Sequence, residues 1–365
     1  MLTTINKQEL LDIFELTPSA QNIMIAGKHG IGKSEIVKEF FEVRGKKVVT
    51  MFCSQAADPG DIIGLPKYDE ETGKTIFALP WWFPTDNTPV VLFLDELNRA
   101  RPEILQVVMD LALSRKIVGR SLPEGSQIIS AVNCGDEYQL TDLDPALVSR
   151  FNIYKFEPSV AEWISYAVQR GIDERVVAFI SQNSQYLDCG GMDGTEDSLM
   201  NKTPDRRAWF KVSDILKKNP EINTSLKKLL CGIVGGKAAV PFFEVLKKNT
   251  LVTAKVILEN FESVSGLMNN YTIQEFAGIN DTVCAYIETS LGDDFDASPL
   301  YTRNMYAKNL SKYTQYLEKK NREAMAHFIN NYESQMYLNL NQLIASNPTL
   351  LENPINDFIV SIAVD

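Results

Sequence analysis

Two short segments hold the residues whose types and order could do chemistry. The first is Gly27-Lys28-His29-Gly30-Ile31-Gly32-Lys33-Ser34. It fits the phosphate-loop pattern G-x-x-x-x-G-K-[ST], and it follows an apolar run and opens a helical one, the context that pattern requires. Glycines let the backbone curl so that successive amides face phosphate oxygens, and a helix amino terminus adds the positive end of its dipole. Lys33 is placed to reach β- and γ-phosphates, Ser34 offers a hydroxyl to Mg2+, and the stretch from Gly27 to Glu35 is the candidate nucleotide contact. The second segment, Val90-Val91-Leu92-Phe93-Leu94-Asp95-Glu96, is an apolar run ending in two acids. Asp95, at the strand tip, would hold the Mg2+ water shell near Ser34, while Glu96 would polarise a water for in-line attack on the γ-phosphate. A second acid in that place favours hydrolysis over transfer to another acceptor. Asn133, closing Ala131-Val132-Asn133, either orients the attacking water or simply forms a turn.

These groups need a sheet to hold them. Over residues 1–157 short β-type runs alternate with helical patterns, the grammar of a parallel sheet covered on both faces. Strands are predicted at Asn22 to Ala26, Lys47 to Phe52, Val90 to Leu94, Gln127 to Val132 and Asn152 to Phe156. A helix is predicted from Lys33 to Val43, where Ile36, Val37, Phe40 and Phe41 recur at helical spacing. From Pro158 helical patterns take over: Trp163 and Ala167, then Val176, Phe179 and Ile180, then Trp209, Val212 and Leu216. Asp188 to Asp205, rich in Gly, Asp and Asn, reads as an exposed loop. Met325, Phe328, Ile329, Tyr332 and Met336 form a stripe that reads as an ordinary core face.

Composition bounds the partners. With 45% apolar and 23% charged residues over 365 positions, disorder is excluded as the main state. Lys and Arg number 36 against 47 for Asp and Glu, and this balance of −11 opposes the broad basic surface of a non-specific nucleic-acid binder. No stretch approaches the ~20 apolar residues of a membrane span. Met1 to Leu11, with Lys7 and Glu9, lacks the apolar core of a secretory signal, so the expected location is cytoplasmic. Cys53, Cys134, Cys189, Cys231 and Cys284 are odd in number and lack C-x-x-C spacing, so buried thiols are expected rather than a zinc site or disulfides. His29 and His327 are too few for a His-based metal site. Without an N-K-x-D tetrapeptide, ATP is preferred to GTP.

Asp95-Glu96-Leu97-Asn98-Arg99-Ala100 resembles the D-E-[IL]-N-R-A signature of the MoxR-like group of AAA+ ATPases, and Leu147-Val148-Ser149-Arg150-Phe151 resembles that group's segment ending in R-F. Asp61-Ile62-Ile63-Gly64 through Trp81-Trp82-Phe83-Pro84 is similar to the β-hairpin insert of the helix-2-insert clade, at about residues 58–85. The resemblance runs through Glu162-Trp163 and Arg207-Ala208-Trp209, over roughly residues 15 to 240. It implies a P-loop AAA+ core of α/β class over residues 1–157, with a parallel five-stranded sheet in the order 5-1-4-3-2. An α-helical lid over 158–235 and a helical C-terminal region over 236–365 would follow.

The same resemblance implies ATP with Mg2+, a homo-oligomeric ring, hexameric, with nucleotide at each subunit boundary, and chaperone-like remodelling of a protein partner. In this group the partner commonly contains a von Willebrand factor A domain. Arg150 would then project toward the γ-phosphate of a neighbouring subunit, and Arg99 and Arg101 would either assist there or pair with acids. The lid sensor falls to Arg206 or Arg207, because Asp205 and Arg206 look inserted relative to the group's pattern; Arg207, two residues before Trp209, is preferred. Lys28 and His29 stand where the group often has a Pro, and His29 reads as a solvent-facing loop residue. Trp81, Trp82 and Phe83 either anchor a partner at the ring's axial face or pack the base of the hairpin. The alternative is a nucleic-acid-dependent motor or restriction-type NTPase subunit, against which the acidic balance counts. A small-molecule kinase would leave Glu96, Asn133 and Arg150 without a shared purpose.

Overall fold

The computed structural model describes residues 2–134, 143–188, 202–218, 221–248, 251–334 and 336–364. The chain divides into two compact units, Met1–Pro158 and Ser159–Asp365.

The first unit opens with β1 (Thr3–Ile5) and α1 (Lys7–Leu16), whose amino end is closed by the reciprocal hydrogen bonds of Asn6 and Glu9. Then come β2 (Asn22–Gly27), α2 (Lys33–Val43) and β3 (Lys47–Phe52). The one-turn helix α3 (Gly60–Ile63) and the antiparallel hairpin of β4 (Leu65–Asp69) and β5 (Lys74–Ala78) precede β6 (Val90–Asp95). The unit continues through α4 (Pro102–Ser114), a small hairpin of β7 (Lys116–Ile117) and β8 (Arg120–Ser121), then β9 (Gln127–Asn133), α5 (Pro145–Val148) and β10 (Phe151–Phe156).

The main sheet is parallel throughout, in the order β1-β10-β2-β9-β6-β3. The five strands read from the sequence stand in the expected order 5-1-4-3-2, and β1 adds an edge strand outside them. Every residue of β2, β6 and β9 is buried, because successive side chains alternate between two covered faces. On one face Ile23, Ile25, Val91, Phe93, Ile129 and Ala131 meet Leu10 and Phe14 of α1 and Ile36, Val37, Phe40 and Phe41 of α2. On the other, Met24, Ala26, Leu92, Leu94, Ile128 and Val132 meet Ile104, Val108 and Leu111 of α4. This packing fixes the strand ends that carry the candidate site.

The second unit is helical. Around Trp209, Phe179 and Phe242 pack α6 (Val160–Gln169), α7 (Glu174–Gln182), α8 (Arg206–Lys218), α9 (Thr224–Val234) and α10 (Gly236–Lys248). A second core unites α11 (Ala254–Asn260), α12 (Ile273–Ser290), α13 (Leu300–Lys320), α14 (Arg322–Glu333), α15 (Leu338–Ala345) and α16 (Asn353–Val364). The two groups are joined by α12, which lies against α6 and α7. Gly278 permits that approach, since a Cβ there would stand 1.8 Å from the carbonyl oxygen of Ser181.

Met325, Phe328 and Ile329 are buried in the second core, but α14 ends at Glu333, and Met336 beyond it is 50% exposed, so the stripe stops one turn short of its expected length. Most of the Asp188 to Asp205 loop, over 189–201, lies outside the described residues, as does Cys189. Cys53 and Cys284 are buried as expected, whereas Cys134 and Cys231 are only half-buried; all four are free thiols. Among the described residues no helix is long and apolar enough to cross a membrane.

Candidate nucleotide site

Gly27 and Asn133 face each other at the carboxyl ends of β2 and β9, and β6 ends beside them at Asp95. From this edge the loop after β2 turns into α2. Gly30 and Gly32 adopt φ of 77° and 97°, the left-handed region where a side chain is strained. The Ile36 amide donates to the Gly32 carbonyl at 3.0 Å, so the amides of Lys33, Ser34 and Glu35 precede that helical hydrogen bond. Gly27 has no room for a Cβ, which would meet Ile31 Cδ1 and the Phe156 carbonyl oxygen at 2.8 Å each. Ile31 packs half-buried on the core, while Lys28, His29 and Glu35 are exposed.

Lys33 is buried, and its ammonium donates to the carbonyl oxygens of Gly27 and Lys28 at 2.8 Å each and to Asn133 Oδ1 at 3.0 Å. Ser34 Oγ donates to Asp95 Oδ2 at 2.6 Å, and Asp95 Oδ1 accepts the Glu96 amide at 2.9 Å. Glu96 itself sits in the left-handed region, φ 54°, and turns the chain out of β6 into a short 3-10 turn, Leu97–Arg99. Its carboxylate accepts from Ser54 Oγ at 2.9 Å and Arg99 Nη1 at 3.1 Å. Arg99 therefore pairs with an acid, and Arg101 Nη1 donates to the Ala57 carbonyl at 3.2 Å. Burial, with the Asp95 charge second, pushes the neighbouring Cys53 thiol up to about 12, which keeps it protonated and unreactive.

Asn133 is buried, and its Nδ2 finds no hydrogen-bond partner among the described residues. An orphaned amide donor of this kind calls for an acceptor. With the α2 amides, the Lys33 ammonium and the Ser34–Asp95 pair, it suits the phosphates of a nucleotide. Among the described residues no three His, Cys, Asp or Glu cluster as a metal cage. Mg2+ would need none, because it keeps several waters and binds through one or two protein groups plus phosphate oxygens; Ser34 and Asp95, hydrogen-bonded to each other, are the candidates to hold it.

Arg150 occupies the opposite edge of the sheet. It directly precedes Phe151, which pairs with Asn22 at the start of β2. Its carbonyl accepts from Asn22 Nδ2 at 3.0 Å, Nη1 donates to the Ala146 carbonyl, and Nε is buried without a partner among the described residues. In the second unit Arg206 is buried and bound to Asp188 at 2.8 Å, whereas Arg207 is exposed on α8. Of the aromatic cluster, Trp82 and Phe83 are buried against each other and Trp82 Nε1 donates to the Ile62 carbonyl at 3.1 Å, which is the packed-base reading; Trp81 is 76% exposed. Sequence reasoning missed Ser54 as a partner of Glu96, and Asn98, whose carboxamide bonds both backbone groups of Asn133.

Residues 22–151 match the AAA domain of the dynein-related subfamily. This stretch is an AAA domain. Over 141 residues the chain is 28% identical to "Putative chaperone BssE" of Thauera aromatica, a match covering 36% of this chain and 49% of that protein, so the chain spans about half the length of this curated relative. Among solved structures, the Thermotoga maritima RuvB Holliday junction branch migration motor aligns over 70% of this chain and 76% of its own, at 12% identity and TM-score 0.36. Brucella abortus NtrX in complex with ADP aligns over 87% and 69%, at 14% identity and TM-score 0.37. The AAA domain ends at the Arg150-Phe151 pair, so it includes Lys33, Ser34, Asp95, Glu96, Asn133 and Arg150.

Proposed function

We propose that the protein is a MoxR-type AAA+ ATPase that hydrolyses ATP in a homo-oligomeric, hexameric ring and remodels a protein partner, one with a von Willebrand factor A domain being the candidate. The observation that carries this reading is the convergence of Lys33, Ser34, Asp95 and the orphaned Asn133 amide at one sheet edge. Arg150, the guanidinium suited to transition-state charge, stands at the other edge, so the site is complete only when a second copy supplies it. The loop amides and Lys33 bind and orient the triphosphate. Ser34 and Asp95 would hold Mg2+, which would supply neutralisation of the phosphate charge. Glu96 takes the proton of the attacking water, and to reach that water it gives up the hydrogen bond from Ser54 or Arg99. Asn133 Nδ2 holds the water or the γ-phosphate in line. Arg207, not the Asp188-bound Arg206, is the candidate sensor in the helical lid.

Titration of the Glu96→Gln variant with ATP and Mg2+, followed by light scattering, tests the reading: nucleotide should bind, remain intact and drive assembly. A monomer saturated with ATP would overturn the ring. Turnover strongly stimulated by DNA at moderate salt would favour a nucleic-acid motor instead.

A further inference from the structure

We propose that Asn98 is a positioning residue that holds Asn133 in its working orientation through that residue's backbone. β6 and β9 pair in register from Val91 opposite Gln127 to Leu94 opposite Ser130. Past that point β6 has only Asp95 left before the left-handed Glu96 carries the chain out of the sheet. The end of β9 still pairs with β2 on its other side, where Gly27 faces Asn133 and the Cys134 amide donates to the Gly27 carbonyl at 3.2 Å. The amide and carbonyl of Asn133 face the side that β6 has left, and a buried peptide group without a partner is costly.

Asn98 supplies the missing rung. Its Oδ1 accepts the Asn133 amide at 3.1 Å and its Nδ2 donates to the Asn133 carbonyl at 2.7 Å. A carboxamide carries the donor and acceptor of a peptide unit, so it continues the ladder where the strand has ended. Both residues are only 5% exposed, which keeps water from competing for these bonds. The fixed backbone aims the Asn133 side chain, with Oδ1 on the Lys33 ammonium and Nδ2 without a partner among the described residues. Asn98 belongs to the same turn, Leu97–Arg99, that follows Glu96, so one short segment sets both the proton acceptor and the amide that orients its water. Aspartate would keep the acceptor and lose the donor; alanine would lose both.

The inference rests on the ATPase reading, and its test separates the two. Steady-state ATP turnover, nucleotide affinity from a fluorescent ADP analogue, and melting curves are measured for wild type, Asn98→Asp, Asn98→Ala, Asn133→Ala and the Asn98→Ala/Asn133→Ala double variant. The two Asn98 variants should lose at least about tenfold in kcat, within the range for removing one preorganised donor, and change nucleotide affinity less than about threefold. In the Asn133→Ala background, Asn98→Ala should remove less than about a further twofold, because its effect passes through Asn133. Should Asn98→Ala fail to fold, the near-isosteric Asn98→Asp carries the test. Folded Asn98 variants with normal kcat, or losses that multiply in the double variant, overturn the inference alone. No turnover by wild type would overturn the ATPase reading and this inference with it.

Discussion

Replacing Arg150 with alanine should leave ATP binding intact and stop hydrolysis, and the reason lies in the strand register. Arg150 precedes Phe151, which faces Asn22, while the phosphate loop begins at Gly27 at the far end of the same strand. At about 3.3 Å per residue, Asn22 and Gly27 stand roughly 17 Å apart, farther than an arginine side chain reaches. In the proposed ring Arg150 would therefore serve a neighbour's site, where a guanidinium contributes ~10³-fold or more, or about 4 kcal/mol of barrier. Arg150→Ala alone should be inactive, and so should Lys33→Ala, which keeps Arg150 but loses its own nucleotide. In an equimolar mixture, about one boundary in four places an intact site of the Arg150→Ala subunit against an intact arginine of the Lys33→Ala subunit, so about a quarter of wild-type turnover should return. Phosphate release from mixed, reassembled protein reads this directly. Wild-type turnover by Arg150→Ala, or a co-assembled mixture as inactive as its components, would refute the trans assignment.

Three further substitutions probe the scaffold. Asp281 on α12 is buried beside His327 and accepts from Asn331 Nδ2 at 2.8 Å. Burial raises its pKa against the opposing Asn331 hydrogen bond and His327, so ionisation weakens the fold as pH rises through that raised value; Asp281→Asn should raise the melting temperature at pH 7, with the gain vanishing toward pH 4, and an equal gain at both pH values would contradict this. Gly278→Ala should destabilise the second unit by about 1–3 kcal/mol by driving a methyl into the Ser181 carbonyl, visible as a lower urea midpoint. Trp82→Phe, which strands the Ile62 carbonyl, should cost about 1 kcal/mol in the same assay while leaving nucleotide affinity unchanged.

The parts of the fold set by local pattern were legible in the sequence. The α2 helix and β3 begin and end where periodicity places them, and the other four predicted strands differ by one residue at an end; the interiors of β2 and β6 are unbroken apolar runs and that of β9 is interrupted only by Ser130. β1 escaped notice because it is three residues long with two exposed threonines. The phosphate loop and the two acids were legible as motifs. Their partners were not: Ser54 meets Glu96, and Asn98 meets Asn133, only because Glu96 adopts a left-handed backbone that no local pattern announces in a non-glycine residue. Likewise, nothing in the spacing of α12 reveals that Gly278 lets it close against α7, a contact between residues nearly a hundred positions apart.

The most direct measurement is steady-state release of phosphate from ATP with Mg2+ by wild type, Lys33→Ala and Glu96→Gln side by side, with nucleotide binding followed by calorimetry. The account predicts turnover by wild type, neither binding nor turnover by Lys33→Ala, and binding without turnover by Glu96→Gln. Wild-type protein that neither binds nor cleaves ATP, or turnover that survives Lys33→Ala, would contradict it.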